Sequence, residues 1–92
     1  MSPTSICSLV PRRRALVRGQ VVSVSTHEWP AVSFMVRLGD GTGTVTLRFL
    51  GRRDLPGFES GRWLSAEGTP AQAPGRLVIL NPRYKFEPGP EC

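Results

Sequence analysis

Ala31-Val32-Ser33-Phe34-Met35-Val36-Arg37-Leu38, Gly39-Asp40-Gly41-Thr42-Gly43 and Thr44-Val45-Thr46-Leu47-Arg48-Phe49-Leu50 form one uninterrupted run from which the architecture is read. In its first part Val32, Phe34, Val36 and Leu38 share one phase, and Ala31, Ser33, Met35 and Arg37 share the other. Side chains alternate between the two faces of a strand, so this period predicts one buried and one open face. The last part repeats the pattern, with Val45, Leu47 and Phe49 inward and Thr44, Thr46, Arg48 and Leu50 outward. The glycines between them tolerate positive φ, which predicts a tight hairpin.

Upstream, Ala15 to about Ser25 reads as a first strand, with Gly19 as a bend or bulge and Val17, Val22 and Val24 as candidates for its buried side. His27-Glu28-Trp29-Pro30 connects it to the second strand. Downstream, Gly51 to Gly61 is too short and broken for more than one helical turn, with Leu55 and Phe58 placed to plug one end of the core. Arg62 to Gly68 reads as a fourth strand, Thr69 to Gly75 as a Pro/Ala-rich loop and Arg76 to Asn81 as a fifth strand, with extended chain through Arg83 to Phe86. The division expected is a mobile basic arm over 1–14, one domain over 15–87 and a flexible tail over 88–92.

The 92 residues leave room for one domain, and the 10 Gly and 9 Pro are spread so that no three-turn helix fits comfortably. Bundles, coiled coils and α/β folds with long crossovers are excluded. The expectation is an all-β, five-stranded, closed or partly closed small barrel, with a linker or a single helical turn between strands three and four. Closure would hide edges that so short a chain cannot cover with helices. An open β-sandwich or an SH3-like barrel would show the same alternation.

Twelve basic residues against seven acidic give a net charge of +5, and all the basic residues but Lys85 are Arg, the side chain suited to bidentate phosphate or carboxylate contacts. Cys7 and Cys92 sit in the two terminal segments, and free thiols in a reducing cytoplasm are expected. The basic cluster follows the few apolar residues of the N-terminus, the wrong order for a secretory signal. Neither cysteine has an adjacent histidine, and the acidic residues show no metal-ligand spacing. Gly39 to Gly43 lacks the Lys-Ser/Thr and helix of a phosphate-binding loop. No cofactor, metal or catalytic residue is expected.

The ordered series Gly19-Gln20-Val21-Val22-Ser23-Val24, Val36 to Gly43, Thr46 to Arg53, Leu55-Pro56-Gly57, Gly61-Arg62-Trp63-Leu64, Glu67-Gly68 and Gly75 to Tyr84 resembles an OB-fold nucleic-acid-binding domain. The likeness is to the compact actinobacterial type and to the wedge domain of the branch-migrating helicase RecG, and it covers about Val17 to Glu87. It implies an OB barrel that binds single-stranded nucleic acid, DNA favoured over RNA, with weak sequence preference, in a DNA-repair setting. No motor domain accompanies the chain, so no helicase activity is implied.

Transferred by that resemblance, the ligand face comprises Met35, Arg37, Thr46 and Arg48, flanked by His27, Trp29 and Arg76. Arg52 and Arg53 would extend the groove, and Arg83, Tyr84 and Lys85 fit either a phosphate-binding or a protected edge. Arg12, Arg13 and Arg14 would reach phosphates from the arm without reading sequence. The chemistry required is a cationic groove with flat side chains on which bases stack. The alternative is a protein-interaction adaptor for a replication, repair or translation partner; self-association is left open.

Overall fold

A computed structural model describes residues 3–89. The central alternation folds into β2 (Ser33–Gly39) and β3 (Thr44–Leu50), paired antiparallel with Phe34 opposite Phe49 and Val36 opposite Leu47. Phe34, Val36, Leu38, Val45, Leu47 and Phe49 are all buried in the core. The hairpin between them has Gly41 at φ 89°.

β1 (Ala15–His27) is longer than its partners and serves two of them. Its first half, Ala15 to Gln20, pairs with β4 (Trp63–Gly68), and its second half, Gln20 to His27, pairs with β2. The strand changes partner at Gln20, and a β-bulge follows at once between Val21 and Ser23. The sequence-based expectation put the irregularity at Gly19, whose role is different. A Cβ there would lie 2.6 Å from the Gly39 carbonyl oxygen, so the glycine permits close backbone approach where the strands cross.

The bulge also corrects the assignment of faces. Val17 is fully buried, but Val22 and Val24 are 48% and 43% exposed. Val22 is the extra residue of the bulge, and Val24 lies on the part of β1 that has left β4 behind. There the free edge of β1 is covered by the linker: Gly61 donates to the Val21 carbonyl at 2.8 Å and Ser60 Oγ to the Val22 carbonyl at 3.0 Å.

The five-stranded barrel and the OB-fold assignment are overturned by strand number and pairing. Among the described residues, with β5 (Pro70–Ala73), β6 (Arg76–Leu80) and β7 (Arg83–Phe86) following β4, seven strands form one open mixed sheet in the order β5-β6-β3-β2-β1-β4-β7. Pro70–Ala73, expected to be loop, is β5, and Arg83–Phe86 is β7. β6 (Arg76–Leu80) runs parallel to β3, and its other edge is taken by β5; β4 likewise has β1 on one side and β7 on the other. The strands that would have to meet to close a barrel are thus already paired on both sides. Pro70 opens an edge strand, a place where no N–H is needed, and this is why the proline did not break it.

Of the linker or single helical turn expected between strands three and four, the described residues show the linker, with turns and no helix; a 3-10 turn lies at Ile6–Ser8. Phe58 from the linker is buried in the core, and Leu55 packs against it. The segment read as an arm lies along the sheet. Ile6 and Leu9 are buried, Thr4 donates to the Leu16 carbonyl at 2.7 Å, and Arg12 donates to the Pro70 carbonyl at 2.8 Å. Cys7 is exposed, while Cys92 and the end of the expected tail lie outside the described residues. No helix among the described residues is long and apolar enough to cross a membrane.

Gly19→Ala is expected to lower unfolding stability by roughly 1–3 kcal/mol, because the obstacle is backbone that cannot swing aside. Gly43→Ala, whose Cβ would meet nothing nearer than 3.6 Å, is expected to stay within about 0.5 kcal/mol in the same urea titration.

Candidate nucleic-acid interface

On the face of the sheet away from the core, the pairing registers set side chains in rows. One row runs Ser23, Arg37, Thr46, Val78 and Ala71; the next runs Ser25, Met35, Arg48 and Leu80; a third runs His27, Ser33 and Leu50. Arg37 and Arg48 therefore stand diagonally across neighbouring strands on one face. Arg37 is exposed, with Nη2 donating to Thr44 Oγ1 at 3.4 Å. Arg48 is half-buried, and its Nε is enclosed with no hydrogen-bond partner among the described residues. Arg76, at the start of β6 and two residues before Val78, lies exposed on the same side.

The other residues singled out from sequence are scattered around this centre. Met35 is half-buried in the second row; Thr46, flanked in the ladder by Arg37 and Val78, is only 5% exposed. His27 ends β1 exposed, with Nε2 3.4 Å from Ser25 Oγ, and Trp29 beyond it is 86% exposed. Arg52 is exposed just past β3. Arg53 is instead held by an ion pair to Glu28, and its carbonyl accepts from Thr26 Oγ1. Arg83 and Lys85 are on β7, three strands away from β2, opposite Glu67 and Ser65. Arg12 and Arg13 are exposed beside β5, and Arg14 reaches Glu67 at 3.3 Å.

The distribution of negative charge gives the central face its character. β2, β3, β5 and β6 contain Arg37, Arg48 and Arg76 and no acidic residue. Glu28, Glu67 and Glu87 are paired with Arg53, Arg14 and Arg18, all outside that face. Asp54 and Glu59 lie in the linker. Asp40, in the hairpin at the end of the face, is occupied locally: it accepts from the Ile6 N–H at 2.9 Å and from the Thr42 N–H and hydroxyl.

Partial burial raises the Asp40 pKa, but hydrogen bonds from the Thr42 hydroxyl and from the Ile6, Thr42 and Gly43 N–H groups outweigh it. The net result is a carboxyl held below its ordinary value of 3.8. This anchors the N-terminal segment to the hairpin rather than adding a free negative charge to the face.

A second feature was not visible in the sequence. Where β3 and β6 end, a cleft of about 450 Å³ opens between them and β7, lined by Phe49, Leu50, Arg52, Leu55, Asn81, Pro82 and Tyr84. Asn81 adopts φ 45°, donates its N–H to the Arg48 carbonyl at 2.7 Å, and accepts the Leu50 N–H on Oδ1 at 2.9 Å. The Asn-Pro pair signals a turn in sequence, but not which strand end the amide side chain will cap.

No protein-family model matches this chain, and no curated protein shows significant similarity to it. The OB-fold likeness read from the ordered motifs thus has no support from relatives, and the open sheet argues against it.

A lowered folded-state pKa contributes stability that is present above the unfolded value and is lost as pH falls through the folded value. Asp40→Asn is therefore expected to cost roughly 1–2 kcal/mol at neutral pH. The gap from wild type should narrow in denaturation curves recorded as pH falls below 3.8; a gap independent of pH would rule out this role.

Proposed function

We propose that this protein binds single-stranded nucleic acid without catalysis and with weak sequence preference, along the β2-β3-β6 face. The observation that carries the reading is the set of three arginines on strands with no acid, while three carboxylates elsewhere are paired to arginines outside it. A polyanion can replace the missing counter-charge there. Arginine offers phosphate a planar pair of donors. Contacts to phosphate position a strand without reading its bases, which accounts for the weak preference. Trp29, fully presented at the end of the β1–β2 hairpin, is available for stacking.

A second reading, docking onto a protein of the replication, repair or translation machinery, draws support from Val22, Val24 and Trp29, which are exposed along the second half of β1 and the turn that follows.

For the first reading, R37A/R48A is expected to weaken binding to unrelated single-stranded DNA and RNA oligonucleotides by roughly tenfold or more. It should also flatten the dependence of log K on log salt by about 1.4, as each lost phosphate contact removes about 0.7. R83A/K85A, on the side of β7 opposite to Tyr84, is expected to do much less. Anisotropy titrations at several salt concentrations check this; an unchanged affinity and slope in R37A/R48A would remove the face from consideration.

A further inference from the structure

Charge neutralisation on the strand face leaves the cleft beside β7 unexplained, although the two are continuous. Arg48 and Leu50 lie two residues apart on the same face of β3, roughly 7 Å along the strand, and Leu50 is a wall of the cleft. Its size falls within the range of roughly 300–1,000 Å³ over which proteins hold small ligands.

The lining combines three properties. Tyr84 is 39% exposed, and its ring is held from behind by Phe49 at 5.5 Å, Phe58 at 5.0 Å and Phe86 at 5.6 Å, all edge-on. The three rings packed on it restrict its movement, and Leu50, 44% exposed, Leu55 and Pro82 extend the apolar surface of the cleft. The Asn81 amide is oriented by the Leu50 N–H on its oxygen, which leaves Nδ2 as a donor with no partner among the described hydrogen bonds. Arg52 supplies a cation that forms no ion pair among the described residues.

A flat wall, a fixed N–H donor and a nearby cation ask for a ligand with a planar ring, an acceptor on its rim and a negative charge. An apolar peptide side chain would use only the first. We propose that the cleft holds one unpaired nucleobase of a bound strand, stacked at Tyr84 with its acceptor edge toward Asn81 Nδ2 and an adjoining phosphate on Arg52. This rests on the single-strand reading given above and adds a base-binding subsite to it.

The test compares a thymine octadeoxynucleotide with an abasic octamer of the same backbone, by anisotropy on the full chain. Wild type is expected to prefer the base-bearing strand by roughly 5- to 100-fold, the yield of one stacked base. Made in a Trp29→Ala background, so that stacking there does not contribute, Tyr84→Leu should bring the ratio close to one while leaving abasic affinity unchanged. Should that variant unfold, amide shifts on wild type serve instead: Leu50, Leu55 and Asn81 should respond to the thymine strand and not to the abasic one. Equal binding of both strands, or no base-dependent shift at those amides, would overturn the subsite and leave the phosphate-binding face standing. Binding of neither strand would overturn that face as well. Thymidine monophosphate bound as tightly as the octamer would identify a free-nucleotide site and overturn the strand-bound form.

Discussion

The change of partner within β1 is the constraint from which the rest of the architecture follows. One strand gives its first half to β4 and its second to β2, with Gly19 against the Gly39 carbonyl and a bulge immediately after the switch. A bulge increases local twist and bends the strand that carries it. The two parts of the sheet can then share one core, in which Val17, Val21, Val36, Leu38, Leu47 and Leu64 are at most 2% exposed. Among the described residues no strand pairs with the other edge of the second half of β1, so the irregular segment between β3 and β4 covers it and also contributes Phe58 to the core.

Charge is segregated by the same arrangement. The β1-β4-β7 side carries acids and arginines together, and there Arg18 binds Glu87 at 2.9 Å and lies over Trp63 at 4.8 Å. The β2-β3-β6 side carries arginine alone. Exposed ion pairs contribute little stability, so the pairing matters chiefly for where it leaves uncompensated charge. Asp40 fits this division, since its carboxylate is satisfied by the N-terminal segment and its own turn.

The aromatic residues link the core to the cleft. Phe34, Phe49 and Phe58 pack against one another inside, and Tyr84 and Phe86 continue the cluster to the surface along β7. The ring that lines the cleft is therefore supported by rings that belong to the folding core, which holds the cleft in shape.

Much of this was legible in local pattern. The alternation over Ser33–Leu50, the glycine-rich hairpin, β4 and β6 all follow from side-chain period and turn chemistry, and so does the shared face of Arg37 and Arg48, because parity within a strand is a local property. Pairing between distant segments is not. Pro70 and Pro74 read as loop until β6 supplied a partner for Pro70–Ala73, and the open sheet depends on β5 and β7 occupying edges that a barrel would have joined. The exposure of Val24, the burial of Thr46 and the cleft around Asn81 likewise depend on which neighbours a strand meets. Period and composition settled which residues could face a core and where the chain could turn; the contacts between remote strands settled which edges stayed open and which arginines lacked a counter-charge, because those contacts are long-range.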